Sequence, residues 1–222
     1  LEGNSSCHTG WLKSAGMLMP MGYMIGQGMV DVQGDPDDIE SLRTTIENHF
    51  DVATIPESGA QYYGYSGAFE CMTAGAGDVA FAKTSSYEDH CEGNEWCLDR
   101  DEYRMLEPAF GQVPTHPVMV DPTQIDSEKQ DAFVAAMLAM SSEMWVEDYP
   151  MGGTNYTGCY SMTTHQVANI SQNTCGGEIL KNVLENKGAV VSVTSQAHLG
   201  SYSDAIANIP GISAYFDDKY DS

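Results

Sequence analysis

The chain has 222 residues, 42% of them apolar, so it has ample length to bury a core in one domain or two small ones. Nine Lys and Arg stand against 32 Asp and Glu, a formal charge of −23, which argues against nucleic acid or an anionic membrane surface as partner. Acidic residues are spread along the whole chain, which suits a cationic ligand or simply a well-solvated surface.

In chain order, Ser14 to Gln27 reads as a helix whose Met17, Met19, Met21, Met24 and Ile25 serve as core filler. Asp35 to Phe50 is a better-marked helix. Asp35 caps it, Pro36 takes the first turn, and Ile39, Leu42, Ile46 and Phe50 share a face. Val52 to Ile55 is a short strand ended by Pro56, Ser66 to Ala74 is helical, and Asp78 to Lys83 alternates as a strand. A Gly-, Asp- and Glu-rich loop follows from Thr84 to Arg100. Gly111 to Val120 is extended, and Pro114 and Pro117 restrict it to an edge or crossover. Asp126 to Trp145 is predicted as one long amphipathic helix, with Phe133, Met137, Met140 and Met144 on one face. Tyr149 to Thr174 reads as loop-rich surface, Cys175 to Asn186 as a helix and Ala189 to Thr194 as a buried strand. Asp204 to Ile209 reads as a short helix before a strand or turn at Ile212 to Phe216. Alternating helices and strands indicate an α/β architecture, with the best interdomain crossover near Val118 to Pro122.

Six cysteines and no C-x-x-C pair favour a disulfide framework over a zinc knuckle. Sequons at Asn4, Asn155 and Asn169 agree with secretion. The apolar run from Met17 to Ile25 is interrupted by Pro20 and is short of a membrane span. With no signal peptide visible, the start at Leu1 reads as a mature or excised fragment.

Three segments carry chemistry. Ser6 to Gly16 brings the Thr9 hydroxyl, the Lys13 cation and the amides of Ser14, Ala15 and Gly16 to a helix start, where the macrodipole favours an anion. Tyr62 to Phe69 supplies tyrosines, and Gln112-Val113-Pro114-Thr115-His116 a histidine. Read from the residues alone, Tyr65 is as well explained by packing, and His116 by a loop position. His8, His49, His90, His165 and His198 lack ligand spacing and read as structural or solvent-facing.

Five ordered motifs over roughly residues 5 to 120 resemble one lobe of a transferrin. They are Cys7-His8-Thr9-Gly10-x-x-Lys13-Ser14-Ala15-Gly16, Tyr63-Gly64-Tyr65-Ser66-Gly67-Ala68-Phe69-x-Cys71, Gly75-Ala76-Gly77-Asp78-Val79-Ala80-Phe81-x-Lys83, Cys97-Leu98-Asp99 and Gln112 to His116. Acidic composition and a single-lobe scale lean toward the algal, cell-surface phytotransferrins. The resemblance implies a two-domain fold like type II periplasmic binding proteins, with mixed sheets, flanking helices and a hinge crossover. Residues 1–117 would be the anion- and iron-binding domain. Residues 118–222 would return through the hinge into the C-terminal part of the other domain.

The resemblance makes Tyr65 and His116 ligands of ferric iron. Thr9, Lys13 and the amides of Ala15 and Gly16 become the seat of a synergistic carbonate, and Lys83 a possible pH trigger. Cys7 pairs with Cys71 by the family pattern. Cys91 with Cys97 stands in for a family bridge whose second cysteine is missing, which leaves Cys159 with Cys175. The family also has arginine where Lys13 stands, and a mobile point charge grips an anion less rigidly than a guanidinium fork. An aspartate and a second tyrosine that complete the family's ligand set lie N-terminal to the anion motif, so the chain is expected to be a fragment lacking that part of the lobe.

The function so implied is extracellular or cell-surface binding and uptake of ferric iron with carbonate, released in an acidic endosome. A receptor or membrane anchor would lie outside this chain. The competing reading is a phosphate- or phosphonate-binding protein of the same two-domain architecture that takes no metal. An enzyme is not expected, because no nucleophile elbow, H-E-x-x-H pair or carboxylate dyad is recognisable.

Overall fold

The computed structural model describes residues 1–114, 117–121, 123–184 and 190–220. Two compact units share the chain. One comprises Leu1–Val113 and the segment from Leu199 onward, and the other comprises Pro114–His198.

The first unit is built on a three-stranded parallel sheet. Its strands are β1 (Ser6–Cys7), β2 (Ala53–Thr54) and β3 (Val79–Ala80), in the order β2-β1-β3. Cys7 in the centre faces Thr54 on one side and Ala80 on the other. After β1 a single π-helical turn, Ser14–Leu18, runs directly into α1, Met19–Gly26. Met17, Leu18, Met19, Met21 and Met24 are all buried there. The methionine cluster is therefore core, and unbranched side chains suit a helix enclosed on several sides. A Cβ at Gly22 would run into the Ala205 carbonyl, so α1 and the returning C-terminal segment approach backbone to backbone.

The expected helix from Asp35 begins later, as α2, Glu40–His49. The Asp35 and Asp38 carboxylates each accept from the amide two residues on, at 3.0 Å, and hold the chain in turns. Leu42 and Ile46 of α2 are fully buried against α1 residues, Phe50, Phe81, Ile209 and Ile212. The tyrosine-bearing helix is α3, Gly64–Thr73.

Ile212 to Phe216, expected as strand or turn, lies instead within helix α7, Ile212–Tyr220. Ile212, Tyr215 and Phe216 follow an i, i+3, i+4 spacing and pack against the core. Ahead of it α6, Ser195–Ile206, is broken at Gly200, whose φ of 37° and ψ of −127° are not helical.

The second unit departs further from expectation. α4 spans Ser127–Ser141, and the segment expected to extend it to Trp145 turns into strand β4, Glu143–Met151. β4 pairs antiparallel with β5, Thr154–Ser161, and β5 with β6, Gln166–Ala168. The stretch read as surface loop is thus mostly sheet. Its turn is Gly152-Gly153, both at positive φ (60° and 82°), the conformation that two-residue hairpins need. α5, Gly176–Leu184, follows, and its Gly176 amide donates to the Glu143 carboxylate at 3.1 Å. The buried strand expected at 189–194 is not formed over residues 190–194, where Val191 is 75% and Val193 52% exposed.

Candidate anion and metal site

The three parallel strands lead into the segments that carry the predicted site residues: β1 into Thr9–Gly16, β2 into the segment that begins α3 and carries Tyr65, and β3 into Lys83. Segments leaving the carboxyl ends of parallel strands are where open α/β sheets bind ligands.

Lys13 is the extended residue before the helical turn, with φ −73° and ψ 132°, and no side chain caps that turn. Among the described residues, the amides of Ser14, Ala15, Gly16 and Met17 find no acceptor. Beside them the Thr9 hydroxyl is buried and has no hydrogen-bond partner among the described residues. It presses on Gly16 so closely that a Cβ there would occupy its place. An unpaired buried hydroxyl is costly, so its persistence next to free helix-start amides marks a spot shaped for an acceptor-rich group.

Two contacts lock this loop. The Thr9 carbonyl accepts from the Gly64 amide at 2.8 Å, which caps α3 and seats Tyr65 one residue further on. His8 holds the other side. Its Nδ1 donates to the Gly16 carbonyl at 3.1 Å, so its Nε2 is the acceptor for Ser6 Oγ at 3.0 Å. The ring stacks on Phe81 at 4.9 Å, and burial lowers its pKa from 6.5 to about 4. Because the folded-state pKa lies below the unfolded one, this contribution is complete above pH 6.5 and is lost as pH falls toward 4. Unfolding free energy should therefore decline by about 1.4 kcal/mol per pH unit across that window on this account alone. His8→Gln should flatten that slope in urea titrations at several pH values, and an unchanged slope refutes the assignment.

Tyr65 is half-buried, and desolvation raises its phenol pKa above 10. Its ring stacks on His90, with centroids 5.5 Å apart and planes within 6°. The Lys83 amine sits 4.5 Å from the same ring's centroid. Lys13 is exposed. Its amine lies 5.2 Å from the Tyr63 centroid, and its hydrogen bond lowers the pKa of that phenol. His116 and Thr115 lie outside the described residues. The disulfides are Cys7–Cys71, Cys91–Cys97 and Cys159–Cys175. Glu143, Cys159 and Cys175 cluster, but both thiols are spent in a disulfide, so this group cannot supply thiolates to a metal.

Residues 56–121 match the family model described as Transferrin. Over 138 residues, 51% of this chain, the sequence is 33% identical to a lactotransferrin of Camelus dromedarius. It is 27% identical over 189 residues, 74% of the chain, to a serotransferrin of Paralichthys olivaceus. Similarity to the melanotransferrin of Homo sapiens is 28% over 167 residues. Over about half its length this chain is similar to transferrins, and residues 56–121 carry their family signature. It spans 18% of the length of the camel relative, 27% of the flounder protein and 22% of the human one. The mixed helices and small sheets are those of the transferrin, type II binding-protein class of α/β fold. The matched transferrin stretch contains Tyr65, Lys83 and position 116 and excludes the anion loop.

Sequence reasoning missed His8 and His90 as parts of the site. His90 could not be found from spacing, because it reaches Tyr65 through a separate π-helical turn, Tyr87–Cys91. His8 gave no signal either, because the two-residue strand it follows shows no period in the sequence.

Proposed function

We propose that this chain binds ferric iron together with carbonate outside the cell and releases both on acidification, with residues 1–117 as the anion- and iron-binding domain. The observation that carries this reading is the unpartnered Thr9 hydroxyl beside the free amides of Ala15 and Gly16. A bidentate carbonate there would accept from Thr9, from both amides and from Lys13, and would turn two oxygens toward the metal. Tyr65 would add a phenolate and His116 an imidazole.

Ferric iron is a hard cation that favours oxygen donors and can draw the proton off a phenol. Burial opposes that ionisation at Tyr65, so the phenol keeps its proton until a highly charged ion arrives. The sign of the pH dependence follows. Loading expels a proton from Tyr65 and needs a neutral imidazole and an unprotonated carbonate, so affinity rises with pH and collapses through the imidazole range. Lys83, already against the Tyr65 ring, adds positive charge where the metal would sit and favours release.

This is a binding protein in our reading and not an enzyme. Secretion fits its transferrin relatives and its three disulfides. No helix among the described residues is long and apolar enough to cross a membrane. The test is a ferric titration followed by visible absorbance, with and without bicarbonate. A tyrosinate-to-iron charge-transfer band that requires bicarbonate is expected. Iron binding indifferent to bicarbonate, or calorimetric phosphate binding with no response to iron, refutes the proposal and favours a metal-free oxyanion carrier.

A further inference from the structure

We propose that a cavity adjoining the anion and metal site, which shares Ala15 and Lys83 with it, binds a small organic anion with an aromatic or aliphatic body and does so without any metal. The cavity has a volume of about 470 Å³, lies wholly within the first unit, and reaches Ala15 at one end. That volume is typical of small-molecule sites. Met19, Phe69, Met72, Leu106 and Phe110 give it a largely apolar wall.

Charge sets this wall apart. The chain carries 32 Asp and Glu against nine Lys and Arg, so a surface drawn from it at random is acidic. The cavity is lined instead by Lys83, Arg100 and Arg104 and by no carboxylate among the described residues. Arg100 is half-exposed, pairs with Glu88 at 3.7 Å and lies over the Tyr87 ring. Among the described residues Lys83 and Arg104 have no ion pair, as is true of Lys13 and Lys181, whereas Arg43 is held by Glu40 and Glu57, and Lys129 by Asp126. Two cations that avoid a large excess of carboxylates and converge on one apolar cavity are arranged for an external anion. An inorganic oxyanion would satisfy the guanidinium groups and leave the apolar wall wet. A carboxylate or sulfonate on a hydrophobic body would cover both, the planar fork of Arg104 taking the head group.

The test uses the full chain in iron-free buffer, so its outcome is read separately from that of the ferric titration. Fluorescence titration with 1-anilinonaphthalene-8-sulfonate should saturate at one equivalent. Arg104→Gln should weaken it about tenfold, the effect of losing one charged hydrogen bond, while Arg104→Lys should keep part of the affinity. The uncharged isostere N-phenyl-1-naphthylamine should bind the wild-type chain about tenfold more weakly. Near-UV circular dichroism identical to wild type establishes that the variants are folded. The proposal is overturned by equal affinity for the charged and uncharged probes. It is equally overturned by unchanged affinity in Arg100→Gln/Arg104→Gln, or by as large a loss in Arg43→Gln, whose guanidinium is outside the cavity lining.

Discussion

Tyr65→Phe is expected to abolish the visible charge-transfer band and to weaken ferric binding by on the order of 100-fold or more, with little change in folding stability. The two effects separate because of where the oxygen sits. The Tyr65 ring is positioned by groups that phenylalanine keeps: His90 stacked on it at 5.5 Å, and Lys83 over it at 4.5 Å. The helix start is fixed by backbone, through the Gly64 amide and the Thr9 carbonyl. Deleting the hydroxyl therefore removes a candidate ligand atom and almost nothing that packs. The measurement pairs a ferric titration in bicarbonate with a urea unfolding curve on the same protein. A variant that unfolds like wild type and still gives the coloured complex removes Tyr65 from the ligand set. A variant that loses stability in step with affinity makes it a packing residue.

The parts of this fold that were legible are those whose sequence carries local punctuation. α3 opens on Gly64 and has a short apolar face ending at Cys71, and α1 has its methionine spacing. Both were found within a few residues. Two strands of the central sheet, β2 before Pro56 and β3 by its alternation, were placed but drawn too long, because regular pairing is confined to two residues in each. β1 itself was not recognised. Ser6 and Cys7 are buried by neighbours on both edges, and two residues cannot show a period.

The second unit failed for a different reason. Much of β5 is exposed, so its residues from Thr154 to Thr157 carry no buried face and read as loop. Gly152-Gly153 between aromatic-bearing runs was the overlooked hairpin signal. At the candidate site the motif named Thr9, Gly16 and Tyr65, but motif spacing says nothing of burial. That the Thr9 hydroxyl is left without a partner, and that His8 braces Gly16 from beneath, emerges only once three strands and a helix have closed around them.

The largest stability effect is expected from breaking Cys7–Cys71 as the pair Cys7→Ala/Cys71→Ala. The bridge joins the centre of the parallel sheet to α3 across a sequence separation of 64, with both cysteines fully buried. Constraining a loop of that length in the unfolded chain is worth about 4 kcal/mol on the chain-entropy account, a large part of the 5–15 kcal/mol margin usual for a folded domain. Cys91→Ala/Cys97→Ala opens a separation of only 6 and should cost about 2 kcal/mol by the same reasoning. Urea midpoints of the two variants at matched m-values give the comparison, and equal losses would mean that the bridges act through native contacts and not through loop length. The first bridge also ties the strand feeding Thr9 to the helix that carries Tyr65. Its loss should lower ferric affinity even under conditions where the chain stays folded, because the anion loop and the phenol are then held together only by the bond from Gly64 to Thr9 and by packing. The second bridge reaches Tyr65 through His90, on the turn that Cys91 ends, and does not join the anion loop to α3, so its removal should lower the unfolding midpoint and cost less ferric affinity than loss of the first.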